Sequence, residues 1–330
     1  MTGLYDDAFV EELRTGAQGL VAEWGLSPRS VVSLLHLSEN ATFRVDDPET
    51  GARVVLRVHR PGYHNRQEIE SELVWLADLI DGGIVNAPRP YQTRSGGYIA
   101  EFKNCGESRQ VVGFAFMPGR EPSPTDDLSD SFRRLGTITA RLHDHARRWK
   151  SPAGFQRKTW NFDTTIGRTA YWGDWRDGLG LTIEGREVLQ RTAKELETKL
   201  HIWGTGPERF GLIHADLRLA NLLIEDQQIA VIDFDDCGFG WFGFDFAAAI
   251  SFIETDDSIP DLQSAWVEGY RCCAEFADAD VAMLPVFVML RRLQLTAWIA
   301  SHAETPTAQA MGVAYIEGTI ELADRFLSTT

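Results

Sequence analysis

The 330-residue chain carries 48 acidic and 32 basic side chains, which gives a formal net charge of −16. Nucleic acid is a poor default partner for so acidic a protein, because its phosphates would be repelled. The acidity chiefly indicates solubility and, less strongly, a cationic substrate. No apolar run approaches the roughly 18 residues that span a bilayer, and the first residues lack the pattern of a secretory signal. We therefore expect a cytoplasmic protein without a nucleic-acid or membrane partner.

Length and cysteine content restrict the fold further. A chain of 330 residues exceeds what one hydrophobic core usually sustains, so two lobes are expected. The cysteines form no CxxC pair and belong to no histidine pattern, which argues against a disulfide scaffold and a zinc site. They are Cys105, Cys237, Cys272 and Cys273.

The first third of the chain predicts an antiparallel sheet. Runs rich in β-branched residues alternate with polar turns, and helical apolar spacing occurs in two places. The predicted elements are a helix at 8–24, strands at 31–37, 41–45 and 53–59, a helix at 66–81, and strands at 98–102 and 110–117. A polar loop is expected at 103–109, between the last two strands. We summarise this part as a sheet plus one helix, that at 66–81.

The pattern changes after Pro118-Gly119, where helical spacing dominates. The predicted helices span 128–149, 182–202, 242–254, 280–302 and 308–327, with one short hairpin near the middle. This organisation predicts an α+β protein with lobes at 1–117 and 118–330. The joint at 116–119 would form the floor of a cleft, where ligands tend to bind.

The stretch "HADLRLANLLIEDQQIAVIDFDD" (214–236) places carboxylates at the edges of apolar runs. A carboxylate there is costly unless it is paired or bound to metal. Asp216 and Asn221 lie five residues apart on a predicted loop, and Asp233 ends the following strand, which would return it near Asn221. Such oxygen ligands suit Mg²⁺, which keeps water and substrate phosphates in its shell. A carboxylate that does not bind metal can accept a hydroxyl proton.

The spacing HxDxxxxN, with Asp233 seventeen residues after Asp216, resembles the catalytic and metal-binding loops of the protein-kinase-like superfamily. "IHADLRLANLL", "IAVIDFDD" and "DFAAAI" are more similar to its aminoglycoside phosphotransferase/choline kinase branch. That branch includes type II homoserine kinases and bacterial stress-response kinases. The resemblance implies a bilobal protein-kinase-like fold, with a nucleotide-clamping lobe followed by a mainly helical catalytic and acceptor-binding lobe. It also implies ATP- and Mg²⁺-dependent phosphoryl transfer.

The resemblance implies a role for each motif residue. Asp216 would position and deprotonate the acceptor hydroxyl or amine, while Asn221 and Asp233 would hold Mg²⁺ on the ATP phosphates. Asp245 matches the buried aspartate that braces the backbone of the catalytic loop, and His214 matches a structural loop histidine. Asp235 and Asp236 stay open, since either could join the metal shell or cap the turn.

The nucleotide clamps implied for the first lobe are less regular. "SENATFRV" (38–45) holds the place of the phosphate-covering turn without a glycine, so Ser38 or Asn40 would help to cradle phosphate, unless this is an ordinary hairpin turn. Arg57 stands where relatives carry the phosphate-binding lysine, and the swap is not conservative. Its partner on the helix would be Glu72 or, less favoured, Glu70.

Two further segments carry expected contacts. "FAFMPG" resembles the hinge, where the backbone of Ala115, Phe116 and Met117 would meet the adenine edge; alternatively these are core strand residues. Arg218, two residues after Asp216, would stabilise charge on the transferring phosphoryl group, or else pair with a loop carboxylate.

The sequence does not identify the molecule that accepts the phosphoryl group. Only eleven residues separate Asp233 from Asp245, too few for a regulated activation segment, which favours a small metabolite such as an amino-alcohol, aminoglycoside or sugar-like acceptor. The alternatives are a protein Ser/Thr acceptor, as in stress-response kinases, and a nucleotide-binding pseudokinase that lost turnover through Arg57. Candidates to line the acceptor pocket are Arg291, Arg292, Trp298 and His302, although core or surface roles are more common for such residues.

Overall fold

The computed structural model describes residues 7–38, 40–123, 128–226, 228–303 and 306–329. Glu39, in the predicted phosphate-covering turn, lies outside them. The chain divides into two compact units. The first unit comprises Met1–Gly119, Ser151–Arg157 and Ala230–Asp235, and the second comprises Arg120–Lys150, Lys158–Ile229 and Asp236–Thr330.

Within its described residues, the first unit contains an antiparallel sheet of six strands and two α-helices. The elements are α1 (Asp7–Leu20), β1 (Val31–Leu37), β2 (Ala41–Asp46), β3 (Arg53–Val58), α2 (Arg66–Asp81), β4 (Pro90–Tyr91), β5 (Ile99–Asn104) and β6 (Glu107–Ala115). The strand order is β1-β2-β3-β6-β4, and β5 also pairs with β6. The predicted sheet is therefore present, and α2 has the predicted bounds.

Two expectations for this unit are corrected. The predicted polar loop at 103–109 is wrong, because β5 and β6 continue through it to a tight turn at Cys105 and Gly106, both with positive φ. Apart from Cys105 and Gly106, the residues at this end of the ladder are all polar, so the segment resembles a loop in sequence. The summary as a sheet plus one helix is incomplete, since Leu13 and Ala17 of α1 join the same buried core as Phe43.

Helix α2 places one acidic residue inside the first unit. Asn65 caps its first turn in a capping box with Glu68, which fixes where the helix begins. Its inward face repeats at helical spacing through Ile69, Glu72 and Leu76, all buried. Glu72 therefore lies on an apolar face, where a carboxylate needs a partner.

The remaining helices and strands belong to the second unit, except that the last two residues of the strand Gln228–Val231 belong to the first. They are α3 (Leu128–Arg148), β7 (Thr159–Trp160), α4 (Phe162–Thr165), α5 (Ile183–Trp203), β8 (Phe210–Ile213), β9 (Leu222–Glu225), β10 (Gln228–Val231), β11 (Gly238–Trp241), α6 (Phe244–Ala249), α7 (Ile259–Arg271), α8 (Asp278–Ser301) and α9 (Pro306–Ser328). Strands β9 and β10 form the predicted hairpin, and β7, β11 and β8 form a second small sheet.

The structure of this unit differs from the sequence analysis at one predicted helix and in two elements that were not predicted. The predicted helix at 242–254 is wrong in extent, because α6 ends at Ala249 and Phe252 adopts a left-handed φ of 73° that no helix continues through. Helix α7 was not predicted. The small sheet β7-β11-β8 was not predicted either, because it pairs short segments that are distant in sequence.

Helices α3 and α7 approach closely because each has a glycine at the contact. A Cβ atom on Gly136 would lie 2.0 Å from the carbonyl oxygen of Trp266, and one on Gly269 would lie 1.8 Å from that of Arg133. Only glycine permits this approach of the two backbones. The contact brings His143 of α3 to Tyr270 of α7, which matters for the site below.

Helix α8 is apolar along most of its length. Of the helices in the described part of the chain, it is the one long and apolar enough to cross a membrane, but 72% of its apolar window is buried within the protein, as in a core helix. Arg291 and Arg292 interrupt this window, and both are buried. Buried guanidinium groups require partners.

Candidate active site

The backbone before Asp216 is held by a buried carboxylate. Oδ1 of Asp245, at the start of α6, accepts a hydrogen bond from the N–H of Ala215 (2.7 Å), and its Oδ2 accepts one from the N–H of His214 (3.1 Å). Ala215 has a left-handed φ of 68°, a strained conformation for a non-glycine residue. The structure thus places Asp245 where the resemblance implied a brace.

Asp245 is in turn oriented by His143. The Nε2 atom of His143 lies 3.0 Å from Oδ2 of Asp245, and its Nδ1 lies 3.0 Å from the hydroxyl oxygen of Tyr270. Burial lowers the pKa of His143 and outweighs the opposite effect of Asp245. The ring is therefore neutral, with Nε2–H donating to the carboxylate and Nδ1 accepting from Tyr270.

Asp216 lies among three donors in the second unit. Its Oδ2 accepts from Nδ2 of Asn221 (2.7 Å) and from Nε of Arg218 (3.2 Å), and its Oδ1 accepts from Nη2 of Arg291. Burial by itself raises the pKa of Asp216, but the positive charges of Arg218 and Arg291 outweigh it and lower the pKa. The carboxylate is therefore ionised at neutral pH.

Asn221 is oriented by the same carboxylate. Its Nδ2 donates both to Oδ2 and to the backbone oxygen of Asp216 (2.8 Å). The amide nitrogen therefore points to Asp216, and the amide oxygen remains for another partner. A neutral oxygen ligand of this kind fits Mg²⁺.

Asp233 belongs to the first unit and also meets the requirements of a metal ligand. Its side chain is 41% exposed, and its backbone adopts a left-handed φ of 61°. Nη1 of Arg57 lies 3.5 Å from its Oδ1. Among the described residues, no three His, Cys, Asp or Glu side chains converge as a metal-binding group. An exposed carboxylate can bind a cation that takes most of its ligands from phosphate and water, as Mg²⁺ does, and this role of Asp233 stays a prediction.

Arg57 forms an ion pair with Glu72 in the core of the first unit. Its Nη2 donates to both carboxylate oxygens of Glu72, at 2.8 and 2.6 Å, and both side chains are buried. Burial lowers the pKa of Arg57, but attraction by Glu72, Asp235 and Asp233 outweighs this and raises it, so the guanidinium stays charged. The structure thus selects Glu72 over Glu70, whose exposed side chain pairs elsewhere.

Asp235 is buried among basic groups. Its carboxylate lies 3.7 Å from Arg57 and 3.6 Å from both His59 and His64, and it accepts a hydrogen bond from Nδ2 of Asn40 (2.7 Å). Burial raises its pKa, but His64 and Arg57 outweigh this and hold the pKa well below its usual range. Asp235 is therefore an internal ion-pair partner in the first unit.

The predicted phosphate-covering residues have defined partners. The side-chain oxygen of Asn40 accepts from the N–H of Arg60 (3.1 Å), so with Asp235 on its nitrogen the whole amide is engaged. Ser38 is half-buried, and its N–H donates to the carbonyl of Asn40 (3.1 Å). Both residues shape the turn after β1; their contact with nucleotide stays a prediction.

The predicted hinge follows the end of β6. The N–H of Ala115 donates to the carbonyl of Arg89 (2.9 Å), so that group is already bonded. The guanidinium of Arg53 lies 5.7 Å from the ring centre of Phe116, and Phe116 and Met117 are half-buried. The contact of the backbone of Ala115, Phe116 and Met117 with adenine stays a prediction, in which the N–H of Ala115 takes no part.

Sequence reasoning missed the contacts that bind the motif to the rest of the fold. Arg291 was proposed only as a pocket-lining residue, and His143 was not singled out. A signal for Arg291 existed, because charged residues inside a long apolar helix must find a buried partner. Nothing in the sequence indicated which partner.

Comparison with known proteins agrees with this geometry. The profile of the phosphotransferase enzyme family matches residues 31–278. The chain belongs to the phosphotransferase enzyme family. The amicoumacin kinase of Bacillus subtilis (strain 168) is 24% identical to this phosphotransferase over 233 residues, 67% of this chain and 66% of that protein.

Solved structures extend the comparison. The structure of a microcompartment-associated aminopropanol kinase has a TM-score of 0.89 and 44% identity, covering 96% of this chain and 98% of that one. The amicoumacin kinase hAmiN, solved with AMP-PNP, Ca²⁺ and Ami, has a TM-score of 0.76 and 23% identity, covering 97% and 94%. The predicted family and protein-kinase-like fold are confirmed, as is a phosphotransferase with an alcohol group as acceptor. The similarity also supports a small-molecule acceptor.

Proposed function

We propose that this phosphotransferase uses ATP and Mg²⁺ to phosphorylate the hydroxyl group of a small amino alcohol. The observation that carries the proposal is the 44% identity to the aminopropanol kinase over nearly the full length of both chains. The net charge of −16 supports it, because a negative field attracts an ammonium-bearing substrate.

In this proposal Asp216 accepts the proton of the acceptor hydroxyl. As the acceptor oxygen bonds to phosphorus, the proton passes to Asp216 and the bond to the departing ADP breaks. The lowered pKa of Asp216 makes it a weak base. Since the transition state of phosphoryl transfer is loose, positioning and electrostatics supply most of the catalysis, and a weak base suffices.

Arg218 is proposed to stabilise the transferring group. Its Nε donates to Oδ2 of Asp216, and its side chain is 25% exposed. A fixed cation beside the equatorial phosphoryl oxygens stabilises charge that is spread over them in the transition state.

The nucleotide is proposed to engage residues 1–117, through Arg57 and through the segment of Ala115, Phe116 and Met117. Mg²⁺ bound to the phosphates would neutralise their charge. Asn221 and Asp233 are proposed to supply its protein oxygens. Arg57, held by Glu72, carries a permanent positive charge suited to phosphate.

The test is acceptor-dependent ADP release with three matched compounds. 1-Amino-2-propanol carries both groups, propan-2-ol lacks the amine, and isopropylamine lacks the hydroxyl. We expect release only with the amino alcohol, loss of release when EDTA removes Mg²⁺, and a phosphate monoester in the ³¹P NMR spectrum.

Other outcomes of this experiment would contradict the proposed function or favour one of the two alternative functions. No acceptor-dependent release with amino alcohols would contradict the proposal, as would a phosphoramidate product from isopropylamine. Thermal stabilisation by ATP-Mg²⁺ without turnover would favour the pseudokinase. Incorporation into protein Ser or Thr would favour the protein kinase, although the segment between Asp233 and Asp245 is occupied by a short 3₁₀ turn and β11.

A further inference from the structure

Asp216 has a partner that lies far from its sequence motif. Arg291, 75 residues further along the chain in α8, donates from Nη2 to Oδ1 of Asp216. Its side chain is only 2% exposed. A guanidinium buried this deeply is held by its surroundings rather than by solvent.

The guanidinium of Arg291 is fixed on several sides. Its Nε donates to Oγ of Ser251 (3.1 Å), and its Nη1 donates to Oε1 of Gln294 (3.1 Å). Its central carbon lies 4.9 Å from the ring centre of Trp172, within range of a cation–π interaction. Three different nitrogen atoms thus bind three different side chains, which leaves the group little rotational freedom.

The hydrogen bonds of Asp216 indicate which oxygen meets the acceptor. An ionised carboxylate offers about four acceptor positions, two on each oxygen. Asn221 and Arg218 take two on Oδ2, and Arg291 takes one on Oδ1. The remaining position is on Oδ1, the oxygen whose place Arg291 determines.

We propose that Arg291 is a positioning residue for phosphoryl transfer, which orients Oδ1 of Asp216 toward the acceptor hydroxyl. It acts through Asp216 and does not touch the reacting atoms. The proposal rests on the proposed function. A displacement of about 1 Å in such a group can cost about 100-fold in rate, so loss of this contact should lower kcat.

The test compares two neighbouring buried arginines. Arg292 is buried to a similar degree but binds Glu254, Thr319 and the carbonyl of Tyr315, with no contact to Asp216. We expect Arg291→Lys to lower kcat by about 10- to 100-fold with the KM for ATP within about threefold of wild type. Arg292→Lys should lower the thermal midpoint and lower kcat by less than Arg291→Lys does, because it leaves the contact to Asp216 intact.

A second variant keeps the charge in place. Gln294→Leu removes the nearer of the two acceptors of Nη1, keeps the carbonyl of Ala215 at 3.5 Å and leaves the guanidinium, so we expect a smaller fall in kcat, by about three- to tenfold, again without a change in the KM for ATP. If Arg291→Lys does not fold, Gln294→Leu is the variant that tests whether Arg291 positions Asp216.

Three results would overturn the proposal. The first is a wild-type kcat in Arg291→Lys or, if that variant does not fold, in Gln294→Leu. The second is an equal loss of kcat in Arg291→Lys and Arg292→Lys, and the third is a loss of activity that appears as a raised KM for ATP. An inactive wild-type protein would instead contradict the proposed function, and this proposal with it. An active wild type with unaffected variants contradicts only the role of Arg291.

Discussion

Each unit contains a buried arginine that pairs with at least one carboxylate, and the two arginines differ in what surrounds them. In the first unit, one guanidinium, Arg57, lies among three carboxylates, those of Glu72, Asp233 and Asp235. In the second unit, one carboxylate, Asp216, lies between two guanidinium groups, Arg218 and Arg291.

The difference matches two chemical demands. A surplus of carboxylate in the first unit suits the binding of a cation, and Asp233 is the exposed member of that group. A surplus of guanidinium in the second unit suits the charge of a transferring phosphoryl group. The two arginines also differ in their contacts. Only Nη2 of Arg57 makes short hydrogen bonds, both to Glu72, while its Nη1 and Nε lie 3.5 and 3.4 Å from Asp233 and His59. Arg291 makes hydrogen bonds of 3.1 Å or less from three nitrogens to three separate side chains.

The largest expected effect comes from removing the carboxylate of the second unit. Asp216→Asn keeps the shape of the side chain but cannot accept the hydroxyl proton, so kcat should fall by about 10²- to 10⁴-fold. The affinity for ATP, measured by calorimetry, should stay within about threefold. Transfer at the wild-type rate would remove Asp216 from the mechanism.

The next effect tests the ion pair of the first unit. Glu72→Gln leaves Arg57 buried without its main partner, which should lower the free energy of unfolding by about 3 kcal/mol. Urea denaturation measures this. The matched control is Glu70→Gln on the same helix, whose 42% exposed side chain should contribute less than about 1 kcal/mol. An equal loss of unfolding free energy in Glu72→Gln and Glu70→Gln would show that burial of the Arg57–Glu72 pair does not determine its contribution to stability.

A milder change sharpens the comparison of the two arginines. Arg57→Lys retains a charge, and a single ammonium can replace Nη2, which makes the short hydrogen bonds to Glu72; only the longer contacts to His59 and Asp233, at 3.4 and 3.5 Å, are given up, so kcat should fall by less than about tenfold. Arg291→Lys should cost more, because an ammonium cannot satisfy three separate partners. Steady-state kinetics of the two variants side by side decides this; the reverse order of effects would refute the distinction.

The smallest effect concerns pH and the brace of the catalytic loop. The pKa of His143 is lowered in the folded state, so the unfolded chain binds the extra proton first and stability falls as the pH drops below about 6.5. The groups that face it are Asp245, Tyr270 and Arg147. From pH 7.5 to 5.5, wild type should lose about 1 kcal/mol more stability than His143→Gln in urea denaturation. Identical losses would mean that His143 is protonated in the fold.

Local patterns predicted much of the fold. Helix α2 has the predicted bounds because a capping box at Asn65, a continuous apolar spacing and a glycine at position 82 mark its start, its course and its end in one stretch of sequence. The extent of α6 and the turn at Cys105 were mispredicted. In both cases a left-handed residue ends or turns the chain, and backbone strain at a non-glycine residue has no reliable signature in composition.

The sequence by itself determined the family and the spacing of Asp216, Asn221 and Asp233, because one short stretch carries that information. Only the tertiary structure decided the partners. Asn40 meets Asp235 across 195 residues and Arg291 meets Asp216 across 75, and such pairings depend on how helices and strands pack, which no local pattern encodes. The physical reason is that a buried charge must find a partner, while its sequence shows only that one is needed.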